Sequence, residues 1–313
     1  MWTELNGGWP SSCSNVGMRK TLQVLIYAII AAFLPKAASA PYAIAGEQIQ
    51  LNGYNLLCDS FNSGDTNRST NGHYDPAKAG DGAYVGLING ILNSGGVGNA
   101  DIWGHLDTQV PFTVAIGPQG SIGSTAWHLS GMTGIEPGHH TTNYDAMFPN
   151  PVAPFPGLVP TGGTVDGVTY TYILGTDNYD LNTLSLSGNE KMLVYGNASL
   201  YVHGNLKVSG NAFIRIEPSA SLRLYVGGES ANIAGAGILN PGTADGFLYL
   251  ALAANTSVAF KTSSLVGQIY APRAAVTVAS GGNAGTEFEG LMVVKTLSLS
   301  THLNAHFDEA LSE

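Results

Sequence analysis

The chain has 313 residues, of which only 11% are charged and 41 are glycine. Its apolar content of 44% is ordinary, so the low charge does not indicate a disordered chain. The formal net charge is −10 and the basic residues are scattered without forming a patch, which argues against binding to nucleic acid or to an anionic membrane surface.

The N-terminal region has the layout of a secretory leader. A basic start at residues 18–20 precedes an apolar run at residues 21–34 and then small residues. The run is shorter than the roughly 20 apolar residues of a membrane-spanning helix. We expect a signal helix within residues 1–40, Met18 as the true start, and cleavage after Ala40 or Ala45. An uncleaved anchor is the alternative, and it would be the only membrane contact. The leader thus predicts a secreted protein.

Residues 58–65 offer a thiol and a weak calcium motif. The other cysteine precedes the leader, so Cys58 would be alone in the mature chain, and we expect a buried structural thiol. Asp59 and Asp65 lie among Asn and Ser, but the segment lacks the alternating ligands of a complete calcium loop. Calcium is therefore an open alternative, and the sequence otherwise predicts no cofactor.

The middle of the chain is rich in proline. Five prolines fall within residues 149–160. This composition predicts an irregular loop over about residues 131–163. We expect this loop to interrupt one domain of residues 41–313 rather than to separate two domains.

Short alternating runs dominate the chain after residue 184. Apolar and polar residues alternate in runs of four or five, as in half-buried strands, and Gly-Asn pairs follow them at residues 188, 196, 204 and 210. Strands this short make a poor hairpin meander. Three of them occupy about 22 residues, which suits stacked parallel turns. The sequence predicts an all-β fold, a right-handed parallel β-helix (β-solenoid).

Two stretches, residues 58–76 and residues 267–311, carry a resemblance to a known family. The second contains a G-x-I-Y-A-P-x-A strand that begins at Gly267, and it ends in His306-Phe307-Asp308 with Leu311, which fits H-[YF]-D-x-x-L. Together they resemble an uncharacterised family of secreted bacterial β-solenoid proteins that occur beside adhesin-like and pilus-associated proteins. The resemblance implies that fold, an envelope or extracellular location, and a structural or adhesive role. It implies no reaction.

Carboxylates near the C-terminus are the candidate catalytic groups. Glu287 and Glu289 alternate, so both can lie on one face of a strand. Hydrolysis of a polysaccharide needs two carboxylates on either side of the scissile bond. If the chain is an enzyme, these two residues are the candidates. Two charges on an exposed face are more often only solvated, so the sequence favours a non-catalytic protein.

The C-terminal motif has two interpretations. In the first, His306, Phe307 and Asp308 cap the open end of the fold, with His306 and Asp308 hydrogen bonded to each other. In the second, His302, His306 and Asp308 share one face of a strand and bind a metal ion. The sequence favours the cap.

Tyrosines near the middle of strands are candidate binding residues, because outward rings could stack on sugars or on a protein partner. Inward rings would instead stack in the core, and the sequence favours that orientation. These are Tyr201, Tyr225, Tyr249 and Tyr270. We expect a non-catalytic structural or adhesive module of a bacterial surface or matrix, with a glycan, a surface protein or a second copy as partner. The alternative is a carbohydrate-binding or polysaccharide-degrading β-helix protein.

Overall fold

A computed structural model describes residues 42–94, 96–109, 114–154, 156–280 and 285–312. The predicted leader and its signal helix lie outside these residues. The described residues belong to one compact unit. They contain one short α-helix, α1 (Thr125–Leu129), and three single turns of 3-10 helix at Pro76–Lys78, Ala244–Gly246 and Glu309–Ser312. None of the helices in these ranges is long and apolar enough to cross a membrane.

Strands make up most of the described chain. In its first half they are β1 (Tyr42–Gly46), β2 (Gln48–Gln50), β3 (Leu56–Phe61), β4 (Ala83–Leu87), β5 (Ile91–Leu92), β6 (Ala100–Thr108), β7 (Ser121–Gly123), β8 (Gly134–Ile135), β9 (His140–Thr141), β10 (Thr161–Val165), β11 (Val168–Leu174) and β12 (Asn178–Leu181). In its second half they are β13 (Leu184–Leu186), β14 (Lys191–Val194), β15 (Asn197–Val202), β16 (Leu206–Val208), β17 (Phe213–Ile216), β18 (Ser221–Val226), β19 (Ser230–Ala234), β20 (Gly237–Leu239), β21 (Phe247–Ala251), β22 (Ser257–Lys261), β23 (Ser264–Ala279), β24 (Thr286–Leu299) and β25 (Leu303–Asp308).

These strands form two sheets. One has 20 strands, and the other has five in the order β10-β11-β14-β17-β20. Among the described strands, the β10–β11 hairpin is the one antiparallel pair. Parallel sheets are buried on at least one face by the elements that connect their strands. Here the sheets enclose a common apolar core.

The core is built from residues that lie in register on successive strands. Leu184 is the register partner of Leu206, so the interval of about 22 residues seen in the sequence is the offset between paired strands. Leu206 in turn pairs with Ala231. All three side chains are buried, and each buried leucine contributes about 1.5 to 3 kcal/mol. The predicted alternation of inward and outward residues is confirmed in these strands.

Six strands close into a parallel barrel, in the order β24-β1-β4-β6-β3-β25 and back to β24. A β-helix stacks each turn on the turn that precedes it in the sequence. Here the N-terminal strands β1 and β3 instead lie between C-terminal strands and the pair β4 and β6. The prediction of a right-handed parallel β-helix is therefore wrong, although the fold is all-β. Local alternation could not reveal pairings between the two ends of the chain.

Glycines allow two strands to turn the corners of this barrel. The first part of β6 pairs with β3 and its second part pairs with β4, and Gly104 lies at the change. Gly290 occupies the same place in β24, between the parts that pair with β25 and with β1. Their φ angles are +146° and +139°. A Cβ atom at Gly290 would collide with the carbonyl oxygen of Gly267, so the corner requires glycine.

The proline-rich segment lies along the outside of β23. Its described residues between β9 and β10 form no strand. The carbonyl oxygen of Pro149 accepts a hydrogen bond from the hydroxyl of Tyr270 at 2.7 Å, and Asn150 accepts one from Arg273 at 3.0 Å. These contacts attach the segment to the domain. The described residues of the predicted loop at 131–163 also contain β8, β9 and the start of β10.

Candidate functional site

Strand β25 occupies an interior position of the sheet. It pairs in parallel with β24 on one side and with β3 on the other. Phe307 points into the core, whereas His306 and Asp308 lie on the opposite face of the strand. The structure thus places the predicted cap, His306–Asp308, between two strands rather than at an end. The predicted bond between His306 and Asp308 is not formed, because each binds other groups.

His306 is buried between two carboxylates. Its side chain is 3% exposed. Nδ1 lies 2.6 Å from Oδ1 of Asp59, and Nε2 lies 2.9 Å from Oε2 of Glu287. The ring stacks on Tyr74, with 3.5 Å between centroids and 16° between planes. We call Asp59, Tyr74, Glu287 and His306 the His306 cluster. It joins strands β3, β24 and β25 with the segment that follows β3.

The hydrogen bonds of the cluster define its charge. An ionised carboxylate only accepts hydrogen bonds, so beside ionised Asp59 and Glu287 both nitrogens of His306 donate and the ring is a cation. Burial lowers the pKa of His306, but the hydrogen bonds and charges of Asp59 and Glu287 raise it by more, so the net shift is upward. The hydroxyl of Tyr74 donates to Oδ2 of Asp59 at 2.6 Å. Burial, followed by this hydrogen bond, raises the pKa of Tyr74 and keeps the phenol neutral.

Glu287 and Glu289 face the same side of β24, as predicted from their alternation. Glu287 also accepts a hydrogen bond from Asn304 at 2.7 Å. Glu289 lies 3.0 Å from Nδ1 of His73, whose other nitrogen lies 3.1 Å from the carbonyl oxygen of Pro241. Each carboxylate is thus bound to a neighbouring imidazole. These contacts connect strands and loops. Neither carboxylate is left as the unpaired acid or base that hydrolysis of a polysaccharide uses.

The residues of the predicted metal sites do not converge. Nδ1 of His302 accepts a hydrogen bond from the backbone of Asn55. Oδ1 of Asp308 accepts one from the backbone N–H of Ser63 at 2.9 Å. Asp59 belongs to the His306 cluster, whereas Asp65 accepts a hydrogen bond from Asn67 within its own loop. Within the described ranges, no three His, Cys, Asp or Glu side chains are arranged to hold a metal ion.

Three of the four candidate tyrosines are buried. Tyr249 is fully buried and donates to Oδ1 of Asn255 at 2.7 Å. Tyr225 and Tyr270 are 5% and 2% exposed. Burial raises the pKa of Tyr270 to about 12. Tyr201 alone is partly exposed, and its ring lies 4.1 Å from that of His203. The four residues therefore do not form an outward aromatic strip. Cys58, as predicted, is a buried free thiol.

A second surface, which the sequence did not single out, is a row of mostly polar side chains across seven parallel strands. Strand register aligns Ser185, Lys207, Asn232, Ala259, Thr277, Ser298 and Gln50. A second row on the same face contains Ser230, Ser257, Ala275, Thr296 and Gln48. We call these two rows the polar face. Its residues are all exposed or half-buried, and none is acidic. Neighbouring strands are about 4.8 Å apart, so the first row spans roughly 30 Å.

Sequence reasoning also missed Tyr74 and the role of Asp59. Asp59 and His306 are 247 residues apart in the chain. Their contact depends on the parallel pairing of β3 with β25, in which the two residues are register partners. The alternation within each strand gives the face on which each lies. It contains no information about which strand is the neighbour.

Comparison with known proteins gives one match. Residues 161–313 match a family described as a domain of unknown function (DUF7305). No curated protein and no solved structure matches the chain. The matched region contains Glu287, His306 and most of the polar face, whereas Asp59 and Tyr74 lie before it. The match assigns no activity to either surface.

Proposed function

We propose that this chain is a non-catalytic, secreted structural or adhesive module of a bacterial surface or extracellular matrix. The observation that carries the proposal is the polar face. It presents hydroxyl, amide and ammonium groups at the fixed spacing of a parallel sheet, and its inward neighbours are held in the core. Partners that repeat along their length, such as glycan chains, can form many weak polar contacts with such rows. Rigid presentation reduces the entropy that binding costs.

The composition and the His306 cluster support the same proposal. The net charge of −10 and the absence of a basic patch in the sequence disfavour nucleic acid as the partner. The candidate acid and base groups, Glu287 and Glu289, are each paired with an imidazole. A leader at residues 1–40 would deliver the protein to the cell exterior. Adhesion would then depend on the polar face and not on a reaction.

A panel of immobilised bacterial and host polysaccharides tests this proposal, with retention of the protein and release of sugar ends both measured. We expect retention without release. Ser257→Glu places a carboxylate on the polar face and should weaken retention at least tenfold. Ser199→Glu is the control, because it places the same carboxylate on a serine of β15, outside the polar face. This control should bind as the unmodified chain does.

Two results would contradict the proposal. Release of new sugar ends, abolished by Glu287→Gln, would show a polysaccharide-degrading enzyme. Equal retention by the Ser257→Glu and Ser199→Glu variants would show that the polar face is not the adhesive surface.

A further inference from the structure

The five-stranded sheet ends at β20 because the chain that would extend it is too short. Strands β14, β17 and β20 lie in the connections β13–β15, β16–β18 and β19–β21. The next equivalent connection, between β22 and β23, contains only Thr262 and Ser263. Two residues cannot supply another strand. Strand β20 therefore pairs with β17 on one side, and none of the described strands pairs with its other edge.

A groove of about 490 Å³ lies beside this open edge. Ile238, Leu239 and Val266 provide apolar wall, and Ser263 and Ser264 provide hydroxyl groups. Leu239 is 41% exposed and adds its side chain to the apolar wall of the groove. An unpaired strand edge beside an apolar groove suits an extended peptide, because the edge binds its backbone and the groove accepts its side chains.

The opposite end of the same sheet carries a second open edge. Strand β10 forms a hairpin with β11 around Asp166 and Gly167, which both have positive φ as a tight two-residue turn requires. Val165 and Val168 flank the turn, so they form the hydrogen-bonded pair, and the backbone N–H of Thr164 points away from β11. Among the described strands β10 has no other partner. Thr164 is exposed.

We propose that β10 of one copy of this chain pairs with the open edge of β20 in a second copy. Both edges belong to one sheet, so a second copy would continue its strand order. Asp166 is the charged residue of the hairpin, and Arg215, the charged residue that lines the groove, already forms an ion pair with Glu217 at 2.8 Å, so the pairing depends on the two open strand edges. A head-to-tail contact of this kind leaves a free edge at each end, and it produces filaments unless the ring closes. The inference rests on the proposed structural role and names a second copy as a partner.

Sedimentation velocity over a wide range of protein concentration tests this pairing, using protein recovered from cells that express the full sequence. We expect the unmodified chain to form a concentration-dependent series of oligomers. Thr164→Pro removes the outward N–H of β10 and should weaken association about tenfold or more, whereas Thr164→Ala retains it and should associate normally.

Leu239→Lys should block the groove. Its control is Leu129→Lys, which changes an exposed leucine of α1. Equal melting temperatures would show that the variants are folded.

A mixing experiment identifies the two surfaces as partners. The Thr164→Pro variant retains an intact groove, and the Leu239→Lys variant retains an intact hairpin. Mixed together they should form dimers that grow no further, although each alone stays monomeric. A chain that remains monomeric at every concentration, or oligomers that both variants still form, would overturn the inference. Neither result affects retention on polysaccharides, so the proposed adhesive function is tested separately.

Discussion

At the scale of single residues, the two ends of the described chain are joined by the ion pair of Arg68 with Glu309 and by the buried cation of His306. His306 contacts Asp59 near the start and Glu287 near the end. The Asp59 carboxylate is buried, whereas the Glu287 side chain is 53% exposed. An unpaired buried carboxylate costs several kcal/mol, and the imidazolium offsets that cost at Asp59 only while it is protonated. Because its pKa is raised on folding, the protonated form is favoured in the folded chain.

The stability that His306 contributes should therefore depend on pH. A group whose pKa is raised on folding stabilises the protein fully below its unfolded pKa of about 6.5, and this contribution disappears as the pH rises through the higher folded pKa. We expect His306→Gln to lower the free energy of unfolding by about 3 to 5 kcal/mol near pH 6, and by progressively less at higher pH. Denaturant titrations from mildly acidic to alkaline pH measure both values.

The matched control for this prediction is His203→Gln. His203 lies 2.6 Å from Asp180, but its side chain is 47% exposed. Exposed ion pairs contribute about 0 to 1 kcal/mol, so this substitution should have little effect at any pH. A pH-independent loss in His306→Gln would show that packing against Tyr74, rather than charge, explains the role of His306.

Strand alternation explains which residues of the His306 cluster and its surroundings could be predicted from the sequence. It placed Glu287 and Glu289 on one face, and the structure confirms this. It could not place Tyr74, which lies in an irregular segment without periodicity. Strand alternation left both orientations of Tyr249 open, because an inward ring with a buried partner, Asn255, has the same local pattern as an outward one.

At the scale of elements, long bent strands replace the separate short strands that the sequence predicts. Strand β23 continues for 16 residues, from Ser264 to Ala279, instead of four or five. Strand β24 likewise continues through Gly290. The alternation of inward and outward side chains continues through a corner. The change of partner strand at the corner has no signal in the sequence other than the glycine itself. Turn glycines and corner glycines look the same in the sequence.

Two glycines with positive φ should therefore respond differently to alanine. Gly290→Ala places a Cβ atom against the carbonyl oxygen of Gly267, and we expect a loss of about 2 to 4 kcal/mol in the free energy of unfolding. Gly188 has a φ of +58°, but no atom lies near its Cβ position. Gly188→Ala should cost only the left-handed backbone conformation, about 1 kcal/mol. Thermal unfolding monitored by circular dichroism compares the two variants. Equal losses of unfolding free energy would show that the Cβ atom at position 290 does not collide with Gly267.

At the scale of the whole molecule, the closed barrel makes the two ends of the described chain mutually dependent. Strands β1 and β3 have partners in β24 and β25, more than 240 residues later in the case of Asp59 and His306. Such pairings depend on the energy of the complete barrel, which the alternation within one strand does not encode. This is why the sequence predicted the all-β class and the parallel offset but not the closure.

Removing β25 tests this dependence. A chain that ends at Thr301 loses Leu303, Ala305 and Phe307 from the core, loses His306, and leaves β24 and β3 without their shared partner. If β25 were a terminal cap, its removal would leave a folded protein that grows into filaments. Because β25 lies inside the barrel, we expect loss of cooperative unfolding and of the near-ultraviolet circular dichroism signal. A chain that ends at Leu311 keeps β25 and should unfold as the full chain does. A cooperatively folded protein after removal of β25 would show that the remaining strands close without it.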